Sequence, residues 1–326
     1  MCFSSMTIID PQDYIPAATI FNHPEHKYRE APGISSTQIK TFARYSPAHY
    51  HSRFLEGRKD LKTSDAMLLG AMVHCLVLEP DYFDRRYFTE ESLGAYPDVI
   101  RTVADMKHYC QDNGLPVQGV KDELAKRILA HNNTAPLYDL VKQSRKESHR
   151  KVVKQSMMDT AREIRDAVFR NPDAALLLSD GKPEVSVFAR HENGLPIKCR
   201  CDWFRDGSGV CTDLKTCQSV SHDDFSRDVA KFHYHLQQAH YLTTLQQAGH
   251  EVDSFLFIAV ETSPPYLCQV FELDRYGSML AQGHYNRTME KLRQCMEDGE
   301  WPGYSRRDTE ELTLPCWFIR QVEMQS

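Results

Sequence analysis

The 326-residue sequence has no run approaching the roughly 18 consecutive apolar residues of a membrane-spanning helix. Residues 1–10 also lack the basic and apolar regions of a secretory leader. These absences set the expectation of a cytoplasmic protein with no membrane partner. Excess charge is missing too: 39 Lys and Arg against 45 Asp and Glu leave a net charge of −6. The total therefore does not advertise a nucleic-acid binder, although a positive groove inside an acidic exterior stays compatible with it. The ten cysteines are scattered rather than set in a framework, which fits reduced thiols. Cys199, Cys201, Cys211 and Cys217 crowd together without the Cys-x2-4-Cys pairs of a structural zinc site, which argues against zinc or iron-sulfur there. His222, His233, His235 and His240 are close in sequence, but no His-Glu-x-x-His pattern accompanies them, so a zincin site is discounted.

What is present centres on residues 194–216. Asn193-Gly194 and Asp206-Gly207-Ser208-Gly209 are turn signals on either side of 197–204, and a further apolar run follows the second turn. The pattern predicts a β-hairpin. Alternation puts Lys198, Arg200 and Asp202 on one face of the first strand, and Asp213 and Lys215 on one face of the second. If the faces coincide, two carboxylates and an ammonium meet, an arrangement expensive to bury without a purpose. Converging carboxylates suit Mg2+ or Mn2+, and a nearby lysine can orient or deprotonate an attacking water and stabilise developing charge. A solvated hairpin with an incidental ion pair is the plain alternative.

Around this hairpin the chain reads in order. Residues 1–33, rich in Pro, His and turn formers, form an extended lead-in, and 34–326 form the main domain. Ser35 caps a helix running toward Tyr45, and a short helix over 47–55 follows. Arg44, His49, His51, Arg53, Arg58 and Lys59 make that region basic, as a solvated face or as a phosphate-contacting rim. An apolar helix over 66–78 is expected to be buried, with His74 one turn after Gly70 on the same face. His74 is either a satisfied core residue or a ligand. Residues 138–168 predict one charged helix, and 184–190 a strand whose first residue, Glu184, reads as a surface glutamate more readily than as a site member. A long helix over 223–248 carries Gln237 and Tyr241 one turn apart. Strands over 253–261 and 266–273, a closing helix over 275–298, and an apolar tail expected to pack on the body complete the chain.

Residues 102–132 read as an insert. Met106, Lys107 and Cys110, then Gly114-Leu115-Pro116-Val117, Lys121, Glu123-Leu124 and Arg127-Ile128, resemble the SAP module, a small helical unit that binds DNA. Lys121, Lys126 and Arg127 could face phosphates there.

Gly70-x-x-x-His74, Asp202, Asp213-Leu214-Lys215 and Gln237-x-x-x-Tyr241 occur in that order on helix, strand, strand and helix. Together they resemble the RecB-type branch of the PD-(D/E)xK nuclease superfamily, most closely its exonuclease VIII (RecE) nuclease domains, over most of residues 30–305. The resemblance implies an α/β (α+β) restriction-endonuclease-like core, with a small central mixed sheet flanked by helices and carrying the SAP-like insert. It implies a Mg2+-dependent (or Mn2+-dependent) exonuclease that digests linear double-stranded DNA 5′ to 3′ for recombination. A single-strand annealing protein as partner and a tetrameric homo-oligomeric ring come with it. His74, Asp202 and Asp213 would be metal ligands assisted by the Leu214 carbonyl. Lys215 would activate water, Gln237 and Tyr241 would support the site, and Arg200 would join the DNA contacts. Ser46 precedes Pro47 where iron-sulfur relatives carry Cys-Pro, so no cluster is implied. A PD-(D/E)xK endonuclease or structure-specific nuclease, and an inactive scaffold that binds DNA through the insert, are the alternatives.

Overall fold

The computed structural model describes residues 17–58, 64–89, 99–147, 150–305, 309 and 311–324. Residues 1–16 of the expected lead-in and Lys59 of the basic stretch lie outside them. The strands are β1 (Ala18–Ile20), β2 (Tyr87–Thr89), β3 (Lys151–Val153), β4 (Lys182–Arg190), β5 (Pro196–Arg205), β6 (Val210–Cys217), β7 (Ser254–Glu261) and β8 (Cys268–Glu272). Helices of at least eight residues are numbered α1 (Ser36–Arg44), α2 (Asp65–Leu78), α3 (Val103–Asp112), α4 (Lys121–His131), α5 (Tyr138–Glu147), α6 (Gln155–Arg170), α7 (His222–Lys231), α8 (Tyr234–Gln247), α9 (Arg275–Asp298) and α10 (Cys316–Glu323).

Six strands form one mixed sheet in the order β1-β4-β5-β6-β7-β8. The turn residues set the meander β4-β5-β6: Gly194, Gly207 and Gly209 all take positive φ, which glycine reaches without a Cβ penalty. Between β6 and β7 the pairing is parallel, and parallel neighbours need a crossover, supplied here by α7 and α8. The sheet is covered on both faces. Leu214, Ile258 and Val260 pack with α2 and α6 on one side. On the other, Val185, Cys199, Cys211 and Phe257 pack with Tyr241 and Leu245 of α8. Residues 17–33 are not separate from this body, because β1 pairs antiparallel with β4 and Lys198 donates to the Tyr28 carbonyl at 2.9 Å.

The hairpin forms as its turns dictate but opens at one end. β5 pairs with β6 only from Trp203 to Arg205; toward Pro196 the strands separate. The freed carbonyls of β5 find partners on α8. His240 Nε2 lies 3.0 Å from the Lys198 carbonyl, and the Tyr241 hydroxyl donates to the Arg200 carbonyl at 2.9 Å. Nearer the start of β5, the Ile34 backbone bonds on both sides of Ile197, to the Pro196 carbonyl and the Lys198 amide. No polar backbone group named here is left bare, as burial requires.

Several expected elements differ. The single helix over 138–168 is two, α5 and α6, separated by β3, where Lys151-Val152-Val153 pairs parallel with β2. Two adjacent valines favour the extended form once a partner strand exists. The helix over 223–248 also breaks, at His233, whose φ of 54° is left-handed. α7 has a single apolar stripe, whereas α8 is buried on most faces, so one straight rod would not satisfy both. α2 is buried only over its C-terminal half, and Met67 is 55% exposed. In the tail, Trp301 stacks on Tyr50 at 5.6 Å, but α10 has no buried residue, so that part of the packing expectation fails. α3 and α4 pack on each other through Met106, Cys110, Leu124 and Ile128.

Tyr241→Phe should cost about 1–3 kcal/mol in urea unfolding, the penalty of an unsatisfied buried carbonyl. Tyr276→Phe, at a position 63% exposed, should stay within about 0.5 kcal/mol.

Candidate active site

The opened end of the β5–β6 ladder gathers the charged side chains. Asp202 stands where pairing stops, and its Oδ2 accepts the Leu214 N–H at 2.9 Å, replacing a ladder bond. Across from it, β4 pairs Pro183 with Trp203 and Val185 with Cys201, so Glu184 lies opposite Asp202. Glu184 has a φ of 52°, a conformation that non-glycine residues rarely hold in a strand and that clusters at functional sites. Strict alternation also lapses here. Cys201 and Phe204, three residues apart, both pack in the core beneath α8.

His74 enters from α2. A Cβ at Gly70 would stand 3.2 Å from Thr216 Oγ1 on β6, so the glycine lets the helix approach the sheet. One turn later His74 Nδ1 lies 3.5 Å from Asp202 Oδ2. One donor atom each from His74, Glu184 and Asp202 lie within 4.8 Å of one another.

Asp213 is almost wholly buried, 1% exposed. Its Oδ1 receives the Gln237 amide at 2.5 Å, and its Oδ2 forms an ion pair with the Lys215 ammonium and, among the described residues, accepts no other hydrogen bond. Gln237 is itself held by Lys40 Nζ at 3.0 Å. Lys215 Nζ also lies over the Tyr234 ring, 5.0 Å from its centroid.

These environments shift the titrations. Burial, then the Asp213 charge, pushes the Asp202 carboxyl up to about 8. Burial, then Asp202, raises Glu184 to about 7 against the pull of Arg200. Burial and then Lys215 lower His74. Burial opposes charge on Lys215, but Asp213 and Asp202 outweigh it, so its pKa rises. Lys40 is lowered to about 8 by burial and by Lys215. Two half-buried carboxylates that resist ionisation beside a neutral imidazole fit a divalent cation, which would supply the missing positive charge. His74, Glu184 and Asp202 are the donors placed to hold it, with Asp213 alongside. Imidazole with carboxylates suits Mn2+ as well as Mg2+.

Seven of the residues named from sequence thus converge: His74, Asp202, Asp213, Leu214, Lys215, Gln237 and Tyr241. Leu214 contributes its N–H to Asp202 while its side chain joins the core under α2. Arg200 sits in the same sheet but turns inward, ion-paired to Glu184 and donating to the His23 carbonyl at 2.8 Å and Ser186 Oγ at 3.0 Å. On α4 and the turn before it, Lys121 pairs with Asp139 at 2.8 Å, Arg127 donates to the Gln118 carbonyl at 2.9 Å, and Lys126 is exposed. Glu184 is not the surface glutamate expected. A turn centred on Asn193 already places it across from Asp202, and that register was the available signal. Lys40 carried none, since nothing in a helical pattern marks which exposed-looking lysine will reach a glutamine on another helix.

Residues 35–309 match the model of a PDDEXK-like domain of unknown function (DUF3799). The mixed sheet flanked by helices agrees with that fold. Among solved structures, one from Eubacterium rectale, named as a candidate exonuclease, is similar with a TM-score of 0.55 at 16% identity, covering 92% of this chain and 98% of that one. A second, SSO0001, aligns over 66% of this chain and 93% of its own at 12% identity, with a TM-score of 0.26. A search of curated proteins returns no match.

The raised carboxyl pKa values mean that the folded metal-free protein holds protons that the unfolded chain has released above about pH 4–5. Histidines lowered by burial, among them His74, His233 and His240, act in the opposite sense below their ordinary pKa of about 6.5, so the melting temperature should fall as pH rises from about 6.5 to 8. Asp202→Asn should reduce that slope, and added Mn2+ should restore stability at pH 8 in the wild type but not in the variant. A thermal-shift series over pH checks all three.

Proposed function

This chain belongs to the PDDEXK-like DUF3799 family, and on that footing we propose that it is a divalent-metal-dependent exodeoxyribonuclease acting on ends of linear double-stranded DNA. The observation that carries the reading is the opened hairpin, where Asp202, Asp213 and Lys215 meet beside His74 and Glu184.

Each residue has a definable part in phosphodiester hydrolysis. His74, Glu184 and Asp202 would hold the cation. A bound Mg2+ or Mn2+ supplies charge neutralisation at the phosphate and acidifies water. Lys215, kept cationic by Asp213, donates hydrogen bonds to the attacking water and to the charge that develops on the phosphoryl oxygens. Gln237 bridges Asp213 and Lys40, which fixes the Asp213 carboxylate and thereby the lysine it pairs with. Tyr241 anchors β5 from behind. Lys40, half-buried and one hydrogen bond from Gln237, adds a second ammonium on the side of α1. Digestion from 5′ ends, a ring-shaped homo-oligomer around the duplex, hand-over of a 3′ strand to a single-strand annealing protein and a cytoplasmic setting belong to the same proposal through the resemblance to RecE-type nucleases. DNA contacts by Lys121, Lys126 and Arg127 join the proposal through the separate likeness of residues 102–132 to the SAP module, and one by Arg200 would require it to leave its pair with Glu184.

The test is digestion of linear duplex DNA, end-labelled on either strand, beside a covalently closed circle, with Mg2+, Mn2+ or EDTA. Label should be released from 5′ ends with either metal and not with EDTA, and the circle should survive. Lys215→Ala should lose about 100-fold or more in rate, as for removal of a group acting in the transition state. Nicking of the circle would make the enzyme an endonuclease. Intact substrates that nonetheless shift in a gel would make it a binding protein.

A further inference from the structure

At the far end of α1 from Lys40 the ends of two helices frame a cavity that the proposed chemistry does not use. It has a volume of about 310 Å3 and lies between the end of α1, the 45–47 segment, α9 and the 303–304 loop, at the small end of the range for ligand sites. One wall is aromatic. The Tyr45 ring stacks on His49 with centroids 5.5 Å apart, and His49 lies 5.3 Å from the Tyr304 ring. Tyr304 is 75% exposed, so its face is open to a further ring. The facing wall, on α9, presents Arg287 and Lys291 one turn apart, with His284 one turn before Arg287. Among the described residues no carboxylate lines the cavity, and neither Arg287 nor Lys291 has an ion-pair partner.

Two continuous routes connect it to the catalytic residues. Along α1, Lys40 bonds Gln237, and Tyr45 follows five residues later, a rise of about 7.5 Å at 1.5 Å per residue. Along α8, Lys215 lies over Tyr234, whose neighbour His235 meets His284 with 3.1 Å between ring nitrogens.

We propose that this cavity holds one unpaired nucleotide of the strand being cut, its base stacked on Tyr304 and its phosphate on Arg287 and Lys291. The inference rests on the nuclease reading for its strand, but its chemistry is its own: π faces with unneutralised cations are what single-stranded nucleic acid requires. Stacking on a protein ring and pairing of the phosphate with Arg287 and Lys291 take a nucleotide out of its own helical stack. The duplex is therefore frayed where its strand enters, and the pocket retains the separated end between successive cuts.

Binding of fluorescein-labelled single-stranded dT12 is measured by anisotropy in EDTA, where no cleavage interferes, for the full-length protein. Tyr304→Ala and Arg287→Ala should each weaken binding about tenfold, the loss of one stacked base or one phosphate contact. Tyr304→Phe should keep the wild-type affinity because the ring remains. Free dTMP should compete only weakly. Hydrolysis of bis(p-nitrophenyl) phosphate with Mn2+, which needs no strand, should be unchanged in these variants. Wild-type affinity in Tyr304→Ala would overturn the proposal, and so would competition by dTMP as strong as by dT12, which would make the cavity a free-nucleotide site. The two readings fail separately. Cleavage of DNA with Tyr304→Ala neutral removes the pocket and leaves the nuclease. Tyr304-dependent binding of dT12 by a protein that cuts nothing leaves the pocket and removes the nuclease.

Discussion

Everything at the centre of this molecule depends on two strands that stop pairing. A complete β5–β6 ladder would align backbone bonds along its whole length and leave no room for a reacting phosphate. By parting beyond Trp203, the strands create a notch whose walls must still satisfy their own polar groups. Asp202 does this for Leu214, and His240 and Tyr241 do it for the carbonyls of β5. The residues that make the notch stable are thus the same ones, or the immediate neighbours of the ones, that make it reactive. α8 serves both purposes in a single turn: Gln237 reaches Asp213 on β6, while Tyr241 holds β5.

Electrostatics explain why the notch is not simply filled. Asp202 and Glu184 lie in surroundings where burial disfavours charge, and Lys215 is already paired with Asp213. A left-handed Glu184 opposite Asp202 adds backbone strain to the same spot. Such a cluster is poorly stabilised without a ligand of opposite charge, and a hard or borderline divalent cation is the partner its donors describe.

Much of the site was legible in the sequence because its determinants are local. Turn residues at 193–194 and 206–209 placed the hairpin, alternation placed Asp202, Asp213 and Lys215, and helical spacing placed Gly70 with His74 and Gln237 with Tyr241. The illegible parts are tertiary. β3 depends on a partner strand more than sixty residues earlier, so its pair of valines was absorbed into a helix. The break at His233 follows from what α7 and α8 each bury, not from any proline or glycine. Glu184 was misjudged because charge at a strand's first residue normally faces water, and only the register with β5 reveals otherwise. Lys40 became visible only once α1 was packed against α8.

The placement of α2 has a consequence for how the chain reaches this state. Its apolar half packs on Leu214, Ile258 and Val260, all of which are made long after the helix itself during synthesis. The hairpin and crossover from β4 to β7 are built from near neighbours and can close quickly, but the helix that brings His74 must wait for them. In the interval its Met72–Leu78 surface has α6 and neighbours such as Phe83, Tyr87 and Val153 for cover but not the sheet, so vectorial synthesis leaves part of a sticky segment exposed until the last third of the polypeptide has emerged.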